Sequence, residues 1–409
     1  MTELANWVES SHGPLRPLAY HPLEGRPGFK MALTVVDDRW YLYLGHLWHS
    51  GWTILDVTDP ASPQQVAFLP GPPGAWTLQV TIRDNLLATS LEPVPGRWGG
   101  DTDAAFEEGV YIWDISAPTT PVRLSHYKTG HHGTHRNKFD DNGLLHLAAR
   151  TAEHEGMILV LVDVSDPTKP HEVGRFSMGE QAPGETDSEG VLRFGLHGPS
   201  LRVDDIAYLP YGDSGLVVLD VADAANPQLL GHLSVRPPLG SQVAAHSAVP
   251  LPDRNLLILN SEAIAENCEE LPQYAAMVDI SDPRHPRMVS LFPAPTPEPE
   301  SGFTSFCQKG GRFGPHNQHI GHGDQTLFND DQVCFLTYFN AGLRVYDTRD
   351  PHDVREVASL VPKPPTERIG MLPRTLTLQA EDVLVDGRGV VYMTEKNSGL
   401  YIAQWQGLP

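Results

Sequence analysis

Three histidines of this 409-residue chain recur at nearly the same distance before an aspartate. They form the pairs His135 and Asp141, six residues apart, and His197 and Asp204, His246 and Asp253, seven apart. Neutral imidazole nitrogens are common ligands of transition metals. If each pair belongs to one structural repeat, the three rings occupy equivalent places and can converge on one ion.

A fourth stretch, GPHNQHIGHG at 314–323, offers His316, His319 and His322. We favour His316, because it follows a Gly-Pro entry that resembles the setting of His197 in GLHGPS. The sequence alone leaves the choice among the three histidines open.

The repeat is visible in a phrase made of an apolar strand, an Asp, a small residue and Asp-Pro. It reads WTILDVTDP at 52–60, VYIWDISAP at 110–118, LVLVDVSDP at 159–167, LVVLDVADAANP at 216–227, AAMVDISDP at 275–283 and LRVYDTRDP at 343–351. A seventh copy, GLYIAQW at 399–405, keeps only the strand. Each unit predicts four short antiparallel strands, which is one propeller blade. In this interpretation the Asp caps a turn and is structural.

Seven such units predict an all-β fold, a single seven-bladed β-propeller that spans residues 1–409 as one domain. The last unit lacks a fourth strand, and an open ring would leave an exposed sheet edge. We therefore expect residues 1–20 to contribute the strand that closes the ring against 399–405.

These strand-Asp phrases, together with GHHGTHRN, LHGP, NSEAIAENC and FGPHNQH, resemble the LVIVD-repeat family of β-propeller proteins. The resemblance implies the propeller fold over nearly the whole chain. It implies no activity, so function has to be argued from the site.

The inner strand of every blade lines the central channel, and its first residues open onto one face of the ring. His135, His197, His246 and His316 would therefore meet on the axis, and we predict that they hold a transition metal. Fe(II) is favoured as cofactor, with Mn, Cu or Zn as alternatives.

Carboxylates near the same face supply candidate catalytic residues. Glu262 and Glu395 follow second strands, which end at this face, and Glu381 lies on an inner strand. Such groups can orient a metal-bound imidazole or accept a proton. His319 is the alternative general base.

A four-histidine centre favours a metal-dependent oxidoreductase or oxygenase that acts on a small, partly apolar or aromatic organic substrate. The layout resembles that of carotenoid-cleavage oxygenases, which are seven-bladed propellers with four axial histidines. A metal-dependent hydrolase or lyase is the first alternative. A non-catalytic propeller that binds protein partners is the second.

Composition sets the remaining expectations. A formal charge of −22 argues against nucleic acid or an anionic membrane as partner, and the expected partner is a small molecule. Three cysteines suggest no disulfide framework, and the N-terminus lacks the pattern of a secretory signal, so we expect a cytoplasmic protein. The oligomeric state stays open.

Overall fold

The computed structural model describes residues 6–101, 103–181, 195–235, 239 and 242–408. It confirms the all-β, seven-bladed propeller, with seven sheets that follow one another along the chain. The two N-terminal strands are β1 (Val8–His12) and β2 (Leu15–His21). None of the helices in this part of the chain is long and apolar enough to cross a membrane.

Blades one to three are built from consecutive strands. These are β3 (Gly28–Val36), β4 (Arg39–His46), β5 (Gly51–Asp56) and β6 (Gln64–Pro70) in blade one, β7 (Ala75–Trp76), β8 (Val80–Arg83), β9 (Leu86–Pro93), β10 (Gly109–Asp114) and β11 (Val122–Tyr127) in blade two, and β12 (Thr134–Phe139), β13 (Leu144–Ala149), β14 (Ile158–Asp163) and β15 (His171–Phe176) in blade three.

Blades four to seven continue the pattern. They contain β16 (Leu201–Val203), β17 (Ile206–Pro210), β18 (Leu216–Asp220) and β19 (Gln228–Leu233), then β20 (Val243–Leu251), β21 (Leu256–Glu262), β22 (Ala275–Asp279) and β23 (Arg287–Leu291), then β24 (Val333–Thr337), β25 (Leu343–Asp347) and β26 (Arg355–Pro362), then β27 (Ala380–Val385), β28 (Val390–Glu395) and β29 (Leu400–Trp405). Short 3-10 segments in the connections lie at Leu23–Gly25, Gly96–Trp98, Gly179–Gln181, Pro252–Arg254, Pro299–Ser301 and Phe306–Lys309.

The ring closes as the sequence predicts. Strand β2 pairs antiparallel with β29, from Leu15 opposite Trp405 to His21 opposite Leu400. Strand β1 was not anticipated as a separate element, and it pairs with β26 at the edge of blade six. The N-terminal segment therefore covers the edges of two blades, which leaves neither available for edge-to-edge association.

The repeated aspartates cap turns, as expected for a structural motif. In each copy the carboxylate accepts a hydrogen bond from the backbone N–H two residues later, at distances of 2.6–3.0 Å, for Asp56, Asp114, Asp163, Asp220, Asp279 and Asp347. The apolar residues of the same strands are buried between neighbouring blades. Between blades seven and one, for example, Leu384 and Ile402 pack in one cluster with Leu42 and Leu55. Such fully buried side chains contribute about 1.5–3 kcal/mol each.

The cysteine expectation is wrong. Cys268 and Cys307 form a disulfide that joins the segment after β21 to the 3-10 segment Phe306–Lys309. Cys334 is free and buried. Pairing depends on the distance between the two Cα atoms, 5.7 Å here, which their separation of 39 residues in sequence does not reveal. The absence of disulfides therefore no longer supports a cytoplasmic location, which stays a prediction.

Candidate metal centre

The structure brings His135, His197, His246 and His316 together at one end of the channel. The centroids of successive rings lie 4.8, 5.1 and 4.7 Å apart. His197, His246 and His316 are buried, and His135 is partly exposed. The four rings come from four consecutive blades, so the blade-six histidine at this end is His316.

Irregular inner strands aim these side chains at the axis. The pairing of β12 with β13 shifts register between Thr134 and Arg136, which places His135 at the bulge. The β20–β21 pairing shifts between Val243 and Ser247, on either side of His246. A bulge re-aims a side chain that regular alternation would direct elsewhere.

Glu262, the last residue of β21, lies at the centre of the cluster. Its Oε1 accepts a hydrogen bond of 2.9 Å from Nη1 of Arg312. Its Oε2 lies 3.6 Å from Nε2 of His197 and 3.8 Å from Nε2 of His246. This oxygen is buried and accepts no hydrogen bond from the described residues. His197, His246 and Glu262 offer ligand atoms within 4.8 Å of one another.

The protonation of His246 follows from its partners. Nη2 of Arg136 lies 2.8 Å from Nε2 of His246, and a guanidinium can only donate. Nε2 therefore carries the lone pair, and the proton sits on Nδ1, which donates to Oγ of Ser247 at 2.8 Å. The lone pair of His246 thus faces Arg136, which lines the cavity.

Carboxylates contact the Nδ1 atoms of the His135 and His316 rings. Nδ1 of His135 donates to Oε1 of Glu92 at 2.7 Å, and Oε2 of Glu381 lies 3.4 Å from Nδ1 of His316. Such contacts orient a ligating imidazole and fix its tautomer. Glu381 is the inner-strand carboxylate that the sequence analysis named. Glu92 was missed, although it is the seventh residue of β9 as Glu262 is of β21, and this shared offset was the available signal.

Burial keeps three of the four histidines neutral. It lowers the pKa of His197, His246 and His316 well below the usual range, and nearby cations such as Arg136 lower it further. Burial also raises the pKa of Glu262. Neutral rings leave lone pairs for a cation, which is the state that a metal site requires.

Four cations that sequence reasoning did not propose line the same cavity, namely Arg97, Arg136, Arg312 and Lys396. Arg136 bonds Oδ1 of Asn317 at 3.1 Å in addition to His246, and Lys396 pairs with Glu381 at 2.5 Å. Arg312 holds Glu262, as described above. Arg136 could have been suspected because it follows His135 directly in the bulge, whereas Arg312 stands in a Gly-rich loop with no comparable signal.

Two candidate catalytic residues lie apart from the cluster. Both ring nitrogens of His319 bond the backbone: Nδ1 accepts from Val385 at 3.1 Å and Nε2 donates to Phe328 at 2.7 Å. Its ring lines a second cavity further along the channel. The carboxylate of Glu395 accepts bonds of 2.7–2.8 Å from the backbone of Gln379 and Asn397 and from the Ser398 hydroxyl. The structure gives neither residue a contact with the four histidines.

The histidine cavity has a volume of about 70 Å³, enough for a few water-sized groups. Its walls include His135, His197, His316, Glu262, Arg312 and Trp98. The non-catalytic alternative predicts a channel with few histidines. Four histidines meet in this channel.

Comparison with known proteins agrees with this architecture. The chain carries LVIVD repeats, and the family model described as LVIVD repeat matches residues 104–129, 156–177 and 204–234. No curated protein matches the sequence.

Solved structures share the fold at low identity. The periplasmic gluconolactonase PpgL of Pseudomonas aeruginosa is 14% identical with a TM-score of 0.54, over 98% of this chain and 100% of that one. A protein from Lactobacillus plantarum is 15% identical with a TM-score of 0.51, over 82% and 85% of the two chains. The β-propeller domain of Cps50 (Swd1) from Myceliophteria thermophila is 10% identical with a TM-score of 0.53, over 96% and 100%. At these identities the similarity concerns the propeller fold.

Proposed function

We propose that this protein is a metal-dependent enzyme of the oxidoreductase class, with Fe(II) bound by His197, His246 and Glu262. The observation that carries the proposal is the buried Oε2 of Glu262, which faces two neutral imidazole nitrogens and has no hydrogen-bond donor among the described residues. A buried carboxylate oxygen in this position is costly unless a cation satisfies it. Two histidines and one carboxylate are the ligand set of non-haem Fe(II) oxygenases.

The spacing of these atoms is wider than a bound metal requires. In the facial arrangement of non-haem Fe(II), adjacent ligand atoms about 2.1 Å from the ion lie about 3.0 Å from one another. The two distances from Glu262 Oε2, 3.6 and 3.8 Å, therefore have to shorten by rotation of the side chains when the ion binds. Arg136 has to release Nε2 of His246, and its bond to Asn317 gives it another partner. This revises the four-histidine prediction, because a carboxylate joins the ligands.

Bound Fe(II) would supply one-electron chemistry with dioxygen. The chain's own residues prepare the site for it. Arg312 fixes Glu262 through Oε1 and leaves Oε2 toward the histidines, while Ser247 keeps the lone pair of His246 on Nε2. His316 and His135 flank the three ligands and are available to hold substrate or a proton.

Elemental analysis of protein purified without chelator or nickel affinity tests the proposal. We expect stoichiometric iron, and oxygen uptake after anaerobic loading with Fe(II). Glu262→Gln should lose the iron, since the amide replaces the anionic oxygen but keeps an acceptor for Arg312. If Glu262 only orients a ligand, the variant keeps its iron and loses about 10–100-fold in activity. Metal-free wild-type protein that takes up no Fe(II) would contradict the proposal.

A metal-dependent hydrolase is the second candidate. Two histidines and a glutamate also bind catalytic zinc in hydrolases, and the propeller of this chain is similar to that of a gluconolactonase. Stoichiometric zinc, together with hydrolysis of glucono-δ-lactone followed by pH-stat, would favour this candidate over the oxidoreductase. If the protein contained no zinc and did not hydrolyse the lactone, the hydrolase candidate would be ruled out.

A further inference from the structure

We propose that the substrate is an aromatic carboxylate, whose ring binds in a tryptophan-lined groove and whose carboxylate enters the histidine cavity beside Arg97. This inference rests on the proposed function, because it assigns a substrate class to the same site. Three observations support it: the positive charge of the cavity, the apolar groove next to the cavity, and the residues that line both.

The cavity is cationic in a strongly acidic protein. Four cations line it, Arg97, Arg136, Arg312 and Lys396, against the two carboxylates Glu262 and Glu381. Counting only these arginine, lysine and glutamate side chains, the cavity has two positive charges in excess, while the whole chain carries −22. A cleft with charge opposite to its surroundings concentrates ligands of the complementary sign, here anions.

Arg97 is the cation best placed for such a ligand. Arg312 and Lys396 are held by Glu262 and Glu381. Arg97 forms no hydrogen bond or ion pair with any residue in the described part of the chain, and its side chain reaches the cavity from an exposed position. A guanidinium of this kind can bind a carboxylate through two parallel hydrogen bonds.

A larger apolar groove adjoins the cavity. It measures about 730 Å³, which suits an organic molecule of moderate size, and Trp48, Trp76, Trp98, Ile369 and Met371 are among the residues that line it. Ile369 and Met371 are 36% and 56% exposed, which is unusual for large apolar side chains. Their exposure in a recess beside the site indicates a surface that an apolar ligand covers.

On one side of the groove, the backbone at Gly370 packs closely against the indole of Trp48. A Cβ added at Gly370 would lie 1.7 Å from Cε2 of Trp48, so only glycine allows the backbone to approach the ring this closely.

Trp98 lines both the groove and the cavity, as do Leu47 and Trp76, so the two spaces meet at these residues. Nζ of Lys396 lies 4.8 Å and Cζ of Arg312 5.2 Å from its ring centroid, while the Trp48 and Trp76 rings pack against it at 5.7 and 5.3 Å. One indole therefore meets cations on the cavity side and aromatic rings on the groove side. A flat apolar body with an anionic end matches this change of environment.

Calorimetric titration of the metal-free protein with 2-naphthoate and its uncharged analogue 2-naphthamide tests the inference. We expect naphthoate to bind about 10–100-fold more tightly, as charge-assisted hydrogen bonds allow. Arg97→Gln should remove this preference. Met371→Ala should weaken both ligands by the same factor, since it removes only apolar contact.

Arg83→Gln is the matched control, because Arg83 lines a different pocket, together with Lys138, Asp141 and Asp324. This variant should bind both ligands as the wild type does. Equal binding of naphthoate and naphthamide to the wild-type protein, or an equal loss in the two arginine variants, would overturn the inference. Because the titration needs no metal, it can fail while elemental analysis supports the metal site, and the reverse outcome is equally distinguishable.

Discussion

The two ends of the channel contain the same kinds of side chain but use them differently. At the far end His319 bonds two backbone groups, and Asp382 bonds Nζ of Lys30 at 2.7 Å and the N–H of Met31 at 3.0 Å. At the histidine end, Oε2 of Glu262 has no hydrogen-bond donor among the described residues and lies 3.6 and 3.8 Å from Nε2 of His197 and His246. Arg136 lines both cavities and lies between them.

This difference separates polar groups that are satisfied inside the chain from those that are candidates for binding. Buried polar atoms that are matched inside the chain stabilise one conformation. Buried atoms that converge without mutual satisfaction leave room for a partner from outside. The residue types alone do not distinguish His319 from His316, since three residues separate them in one stretch and only their partners differ.

The largest effect is expected from deleting the N-terminal strands, because this change disturbs both ends of the channel at once. Glu381 of the histidine end and Asp382 of the far end are neighbours on β27, in the blade that β2 completes. Deleting residues 1–20 removes β1 and nearly all of β2 and exposes the edges of β26 and β29. We expect aggregation in gel filtration, whereas deletion of residues 1–5 leaves both strands and should give the wild-type profile. A stable monomer without residues 1–20 would contradict this role.

Next in size is the loss of one histidine from each end. His246→Ala should abolish metal binding, because it removes a proposed ligand. His319→Ala should keep the metal and cost about 1–3 kcal/mol in unfolding free energy for each backbone partner left without a bond. Metal content and urea unfolding, measured on both variants, separate the two roles. Full metal content in His246→Ala would count against the site.

A smaller effect is expected from Asp382→Asn. Breaking a buried ion pair by neutralising one partner costs about 3–5 kcal/mol, and Lys30 is still partly exposed, so we expect the lower part of this range. Metal binding should be unchanged, because Asp382 faces the far end. Urea unfolding measures the cost, and Lys30→Met combined with Asp382→Asn should recover most of it, because Asn keeps an acceptor for the N–H of Met31. No recovery in the double variant would show that the cost does not come from the unpaired charge.

The smallest effect concerns Glu395 and pH. Burial raises the pKa of Glu395 from its ordinary value of 4.5 to about 7. Since the folded state favours the protonated carboxyl, this group's contribution is fully present below pH 4.5 and is lost as the pH rises through 7. Glu395→Gln removes that dependence, so the variant should gain stability relative to the wild type between pH 5 and pH 8. Parallel urea titrations would show this, and a constant difference would contradict it.

The sequence by itself determined the blades. One strand in each of the first six blades is apolar and ends in an Asp that caps the following turn. Both features act over a few residues, so they can be read locally. The closing strand followed from a missing element and the cost of an open edge. These inferences needed no knowledge of which distant residues meet.

Only the tertiary structure decided what the channel groups do. It placed Glu262 among the histidines, put Glu92 behind His135, brought in Arg136 and Arg312, paired Cys268 with Cys307 and turned His319 to the backbone. Each of these outcomes depends on bulges and on contacts between blades, where a shift of one residue re-aims a side chain. Matched offsets along the chain show which residues reach the axis, and hydrogen-bond partners from other blades determine which of them remain available to bind.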